Sequence, residues 1–140
     1  MRNPNLGKII FVTLLIPSLS SYACSCRSDL KANVNSAERI FLAKAISARV
    51  HNEANEDLSY VEVEFGVIRK LKGEVPKSVT VKTRPPGGDC GVSITVAEKY
   101  VIFLRKGEEQ IGMCGGSHQV YGFFPDEPEE IIKIVKQQSK

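Results

Sequence analysis

Four cysteines and two histidines carry the most reactive side chains in this chain, and their spacing limits what they can do. Cys24 and Cys26 form a C-x-C pair, whereas Cys90 and Cys114 stand alone. A zinc site built from four thiolates ordinarily uses pairs spaced C-x2-C to C-x4-C. The even count and the absence of that spacing favour two disulfides instead. A Cys24–Cys26 bridge would close a cramped ring, so each of the two is expected to reach a distant partner, with the pairing left open. His51 lies in a polar stretch and His118 beside Gly115-Gly116-Ser117, neither in a ligand or catalytic spacing, so both read as surface residues. With every cysteine committed and no serine in a nucleophile-elbow sequence, no Cys-His or Ser-His-Asp arrangement can be assembled. Glu62 and Glu64 fall on one face of an alternating segment, the pattern of a solvated strand face rather than of an acid/base pair. A non-enzyme is expected, with no cofactor.

The cysteines need an oxidising compartment, and the N-terminus supplies a route to one. Arg2 and Lys8 give a basic start, Ile9 to Ile16 an apolar run and Ser21-Tyr22-Ala23 a small-x-small cleavage site. Residues 1–23 therefore read as a signal peptide and Cys24 as the mature N-terminus, the product being exported to the periplasm or the extracellular medium. The apolar run is too short to span a bilayer, and no later segment approaches about 18 uncharged apolar residues. Acylation of Cys24 as a lipoprotein anchor is the alternative. Ser21, where such sites usually carry Leu, and the bulky Tyr22 argue against it. Of the 19 Lys and Arg, Arg2 and Lys8 belong to the leader, which leaves 17 against 16 Asp and Glu. A balance this near neutral gives no footprint for nucleic acid. Arg69, Lys70 and Lys72 are the densest basic run and read as a solvated turn.

The elements that would hold the cysteines follow from apolar periodicity. Leu30, Val34 and Ala37 stand at helical spacing, with Ser28 as an N-cap. Arg39 to Val50 reads as a strand and His51 to Ser59 as a loop. In Tyr60 to Ile68, Val61, Val63, Phe65 and Val67 alternate with polar or small residues, the signature of a half-buried strand. A turn at Lys72 to Pro76 leads into a strand at Ser78 to Thr83, and Pro85-Pro86-Gly87-Gly88 forbids regular structure just before Cys90. Further strands are expected at Val92 to Val96, Lys99 to Arg105 and Gln110 to Cys114. Asp126-x-x-Glu129 has the form of a capping box for a helix carrying Ile131, Ile132, Ile134 and Val135 and ending near Gln137. Such a short helix is expected to pack on the sheet. Residues 24–140 thus suit one mostly β domain with a single core.

Cys24-Ser25-Cys26 at a cleavage point, Phe41-Leu42-Ala43-Lys44-Ala45-Ile46-Ser47 on the first strand, Leu71-Lys72-Gly73 after the second, Cys90-Gly91-Val92-Ser93, and Cys114 after the last strand form a combined pattern. Together these resemble the N-terminal, netrin-like domain of the tissue inhibitors of metalloproteinases, over nearly all of the mature chain. The resemblance implies an OB-type, five-stranded antiparallel barrel with flanking short helices, and bridges Cys24–Cys90 and Cys26–Cys114. It also implies a protease-contact ridge of Cys24, Ser25, Cys26, Arg27, Gly88, Asp89 and Cys90. The α-amine and carbonyl oxygen of Cys24 would chelate the catalytic zinc of a target metalloendopeptidase, with Ser25 pointing into the pocket beside the scissile position. The expected form is a monomer. A different class, a non-inhibitory netrin-like module binding a protein or glycan partner through a barrel face or loops, has no need of Cys24 at the terminus.

Overall fold

The computed structural model describes residues 24, 26, 29–54, 59–85, 90–122 and 126–138. The expected signal peptide, residues 1–23, and four of the ridge residues, Ser25, Arg27, Gly88 and Asp89, lie outside the described residues. So does Ser28, and the helix cap falls to its neighbour. α1 (Leu30–Ser36) starts at Asp29, whose carboxylate accepts the Lys31 amide at 2.9 Å.

Six strands follow: β1 (Arg39–His51), β2 (Tyr60–Lys72), β3 (Ser78–Thr83), β4 (Lys99–Leu104), β5 (Gln110–Ile111) and β6 (His118–Gln119), with α2 (Glu127–Gln138) last. They form one curled, open, barrel-like sheet in the order β5-β3-β2-β1-β4-β6, flanked by the two helices. The mostly β, barrel-like architecture with flanking helices is the one the sequence leads to, with differences in detail. Every adjacent pair is antiparallel except β3 and β5, which run parallel through Lys82–Gln110 and Thr83–Ile111.

Both faces of the central strands are buried, by two separate apolar cores. Phe41, Val63, Phe65, Tyr100 and Ile102 fill the inside of the curl. Ile40, Leu71, Val101 and Phe103 face the other way, against Val34 of α1 and Ile131 of α2. That two-sided burial is why β4 reads Tyr-Val-Ile-Phe-Leu without a polar interruption. It also explains why β2 runs four residues beyond the alternating segment. Leu71 belongs to the second core, and the basic residues around it are partnered rather than merely solvated. Arg69 meets Glu129 of α2, Lys70 meets Glu74 at 3.3 Å, and Lys72 Nζ donates to the Val34 carbonyl at 2.6 Å, closing the C-terminal end of α1. The chain then turns at Gly73, whose φ of 70° is open to glycine.

Three expected elements take another form. Val92 to Val96 is not a strand. The Val92 amide donates to Thr83 Oγ1 at 2.8 Å and the Thr95 amide to the Tyr100 hydroxyl at 2.7 Å, so side chains take the donors that a ladder would use. The last expected strand shrinks to Gln110–Ile111, because Met113–Gly115 coils into a 3₁₀ turn around Cys114. The Asp126-x-x-Glu129 box is not closed: the Asp126 backbone carbonyl accepts the Glu129 and Glu130 amides, while the Glu129 side chain reaches Arg69. That guanidinium holds the Glu129 carboxyl below the usual carboxylate range. α2 packs Ile131, Ile132, Ile134 and Val135 into the second core, against α1 and β2.

Candidate functional site

The site is built from two connections that leave neighbouring strands. β3 ends at Thr83, and the chain leaves the sheet at Arg84 and returns at Gly91. These two backbones touch, and a Cβ on Gly91 would overlap the Arg84 carbonyl oxygen. Fully buried Thr83 fixes the return by accepting the Val92 amide. Cys90 is thereby held at the neck of this loop with φ of 56°, a left-handed conformation that a non-glycine residue adopts at a cost of about 1–2 kcal/mol. The second connection is the 3₁₀ turn after β5, which carries Cys114. The Met113 amide donates to the Cys90 carbonyl at 3.0 Å and links the two connections directly.

On these adjoining anchors the N-terminal segment is fastened twice. Cys24 is bridged to Cys90, with Cα atoms 5.6 Å apart and a sequence separation of 66. Cys26 is bridged to Cys114 at 4.9 Å across 88 residues. This is the pairing that the resemblance implies. In the chain-entropy account each crosslink over loops of this length destabilises the unfolded ensemble by about 4 kcal/mol. The two loops interleave, and their overlap means that they share part of that effect. The local consequence is greater: Cys24 and Cys26, with one residue between them, are each tied to a different one of these two connections. Of the expected ridge, the structure thus brings together Cys24, Cys26 and Cys90; Ser25, Arg27, Gly88 and Asp89 are outside the described residues.

A cavity of about 400 Å³ flanks Cys90, between Arg84, Arg105, Glu108 and Gln110. Its charges are mixed, with Arg105 and Glu108 at 4.0 Å. No three histidine, cysteine or acidic side chains among the described residues are grouped to hold a metal ion. Among the same residues no helix is long and apolar enough to cross a membrane.

The two histidines differ from the expectation of plain surface residues. His51 is half-buried at the end of β1, its ring stacked on Tyr60 at 4.6 Å and its Nε2 3.9 Å from Glu62. Lys82 Nζ lies 4.9 Å from the Tyr60 ring centre. Glu64 accepts from the Ser78 hydroxyl at 3.1 Å. His118 sits in β6, with Nδ1 2.6 Å from the Gly116 carbonyl and Nε2 2.9 Å from Glu127 of α2. Both ring nitrogens face acceptors, so the doubly protonated ring satisfies the site. The hydrogen bond to Glu127 is the main cause raising its pKa, aided by Gly116 and opposed by burial. No sequence signal marks this pair, because its members are nine residues apart on different elements.

Neither a known family model nor a curated protein matches the chain in sequence.

Proposed function

We propose that the mature chain is an exported inhibitor of zinc metalloendopeptidases that acts through its own N-terminus. Cleavage after Ala23 exposes the α-amine of Cys24. That nitrogen and the Cys24 carbonyl oxygen then occupy the open coordination position of a target's zinc and displace the water that would attack a peptide bond. The observation that carries this reading is the double fastening of Cys24 and Cys26 to two hydrogen-bonded loops. A chelating terminus must be rigid before it binds, since ordering it on binding would subtract from affinity. Ser25, Arg27, Gly88 and Asp89 complete the proposed ridge, with Ser25 directed toward the pocket beside the scissile bond.

The thiol of Cys24 takes no part, being in a disulfide. The α-amine has an ordinary pKa of about 7.7–8.0, so zinc binding displaces its proton and inhibition weakens as pH falls.

The test is a titration of the exported protein, shown by mass to begin at Cys24, against a panel of zinc endopeptidases, beside a form with one alanine added before Cys24. Inhibition by the native form and its loss in the extended form is the expected result. Equal behaviour of the two, or no inhibition across the panel, would defeat the chelation reading and leave a binding module.

A further inference from the structure

The face of the molecule away from the inner core carries a groove that the proposed inhibitory terminus does not use. It has a volume of about 640 Å³ and runs between α1, the 3₁₀ turn, β6 and the start of α2. Leu30, Phe103 and Val120 form its apolar surface. Met113 and Tyr121 stand on its rim, 51% and 61% exposed. These two residue types combine an adaptable or amphipathic contact surface with low cost of ordering, and both are enriched where proteins meet partners.

Apart from His118, the charged side chains on the groove are all acidic. Asp126, Glu127 and Glu130 line the side formed by α2, and no lysine or arginine is among the described residues lining it. The favourable field at a helix N-terminus accounts for acidic residues in this turn. It does not account for their position along an apolar groove. His118 compensates Glu127 alone, at 2.9 Å, which leaves the exposed carboxylates of Asp126 and Glu130 beside the apolar surface. Among the described residues β6 is the last strand of the sheet, paired on one side with β4, so its outer edge offers a short stretch of backbone to an extended chain.

From this combination we propose that the groove docks an extended segment of a partner protein in which an apolar side chain stands next to lysine or arginine. The apolar side chain fills the space between Leu30, Phe103 and Val120 under Met113 and Tyr121. The cation meets Asp126 and Glu130. The groove shares the 3₁₀ turn with the platform under Cys24 but uses none of the proposed ridge residues.

The chain contains no tryptophan, so a tryptophan-bearing peptide is the sole source of indole emission in a mixture. The probe is the blocked pentapeptide Lys-Leu-Trp-Leu-Lys, compared with Glu-Leu-Trp-Leu-Glu, titrated into the mature, disulfide-bonded protein, with amide chemical shifts recorded in parallel. Saturable binding of the lysine peptide is expected, with shifts confined to residues 113–121 and 126–130. Binding should weaken at least about tenfold in Tyr121→Ala, as for a truncated interface anchor. Glu130→Lys should lose the lysine peptide and gain the glutamate one. Both side chains are exposed, and the charge reversal keeps the test informative should either variant be less stable. Equal binding of the two peptides, absence of saturable binding, or shifts centred elsewhere would overturn the proposal. The form with an alanine before Cys24 should bind the lysine peptide as the native form does, so failure here and failure of chelation are read separately.

Discussion

Replacing Thr83 by valine tests how the Cys90 loop is held. The substitution keeps the shape of the side chain and removes one oxygen. Thr83 is fully buried, Val92 is 4% exposed, and their bond of 2.8 Å gives the Val92 amide its acceptor. Valine leaves that amide buried and unpaired, which costs about 1–3 kcal/mol. Taking about 2 kcal/mol, the folding constant drops about thirtyfold and the melting temperature of a domain this size falls by roughly 8 °C. Thermal and denaturant unfolding of the oxidised protein give the global value, and hydrogen exchange at Val92 gives the local one. Thr83→Ser separates the causes: it keeps the acceptor and loses a methyl group, so it should lose stability while the Val92 amide stays protected. A valine variant that melts within about 2 °C of the native protein with Val92 still protected would refute the assignment of this bond as the clasp of the loop.

Gly91→Ala should destabilise by about 2–3 kcal/mol, because its new methyl group meets Arg84 backbone rather than a movable side chain; denaturant unfolding measures this, and a change below about 0.5 kcal/mol would count against the contact. Serine at both Cys26 and Cys114 should reduce stability by up to about 4 kcal/mol and raise the inhibition constant while Cys24 remains bridged to Cys90. Stability should also carry a histidine-linked pH dependence. Because the pKa of His118 is raised in the folded state, its contribution is complete below the ordinary histidine value of about 6.5 and is lost as pH rises through the folded value. His118→Gln should flatten that part of the melting-temperature profile, and an unchanged profile would place the titration elsewhere.

How far the sequence reveals this depends on whether a feature is set by local pattern or by tertiary contact. β3 is legible to the residue because its alternation faces real apolar surface, and the bounds of β1 and β4 to within one because their apolar runs are buried. Val92, Ile94 and Val96 show the same alternation without forming a strand. What differs is the destination of the segment's amides, that of Val92 on Thr83 and that of Thr95 on Tyr100, which periodicity does not encode. The end of β2 is hidden for the opposite reason: one apolar residue, Leu71, among basic ones looks like a turn until a second core is known to lie beneath it. β6 has two residues, too few for any period.

The candidate site divides in the same way. The count and placement of the cysteines point to disulfides, and the resemblance supplies their pairing. The hydrogen bond from Met113 to Cys90, which makes two separate bridges one platform, joins residues far apart in sequence and carries no local mark. The approach of Arg84 to Gly91 is similar: a glycine after a cysteine is visible, but the backbone that requires it is not.

The central claim is that the Cys24 terminus binds a metal, and the most direct measurement is the visible absorption spectrum of a cobalt-substituted zinc endopeptidase during titration with the mature protein. Coordination by an amine nitrogen and a carbonyl oxygen should change the ligand-field bands in step with inhibition, and the alanine-extended form should change neither. Inhibition that proceeds with the cobalt spectrum unaltered would show that the protein blocks its target without touching the metal, and would contradict the account.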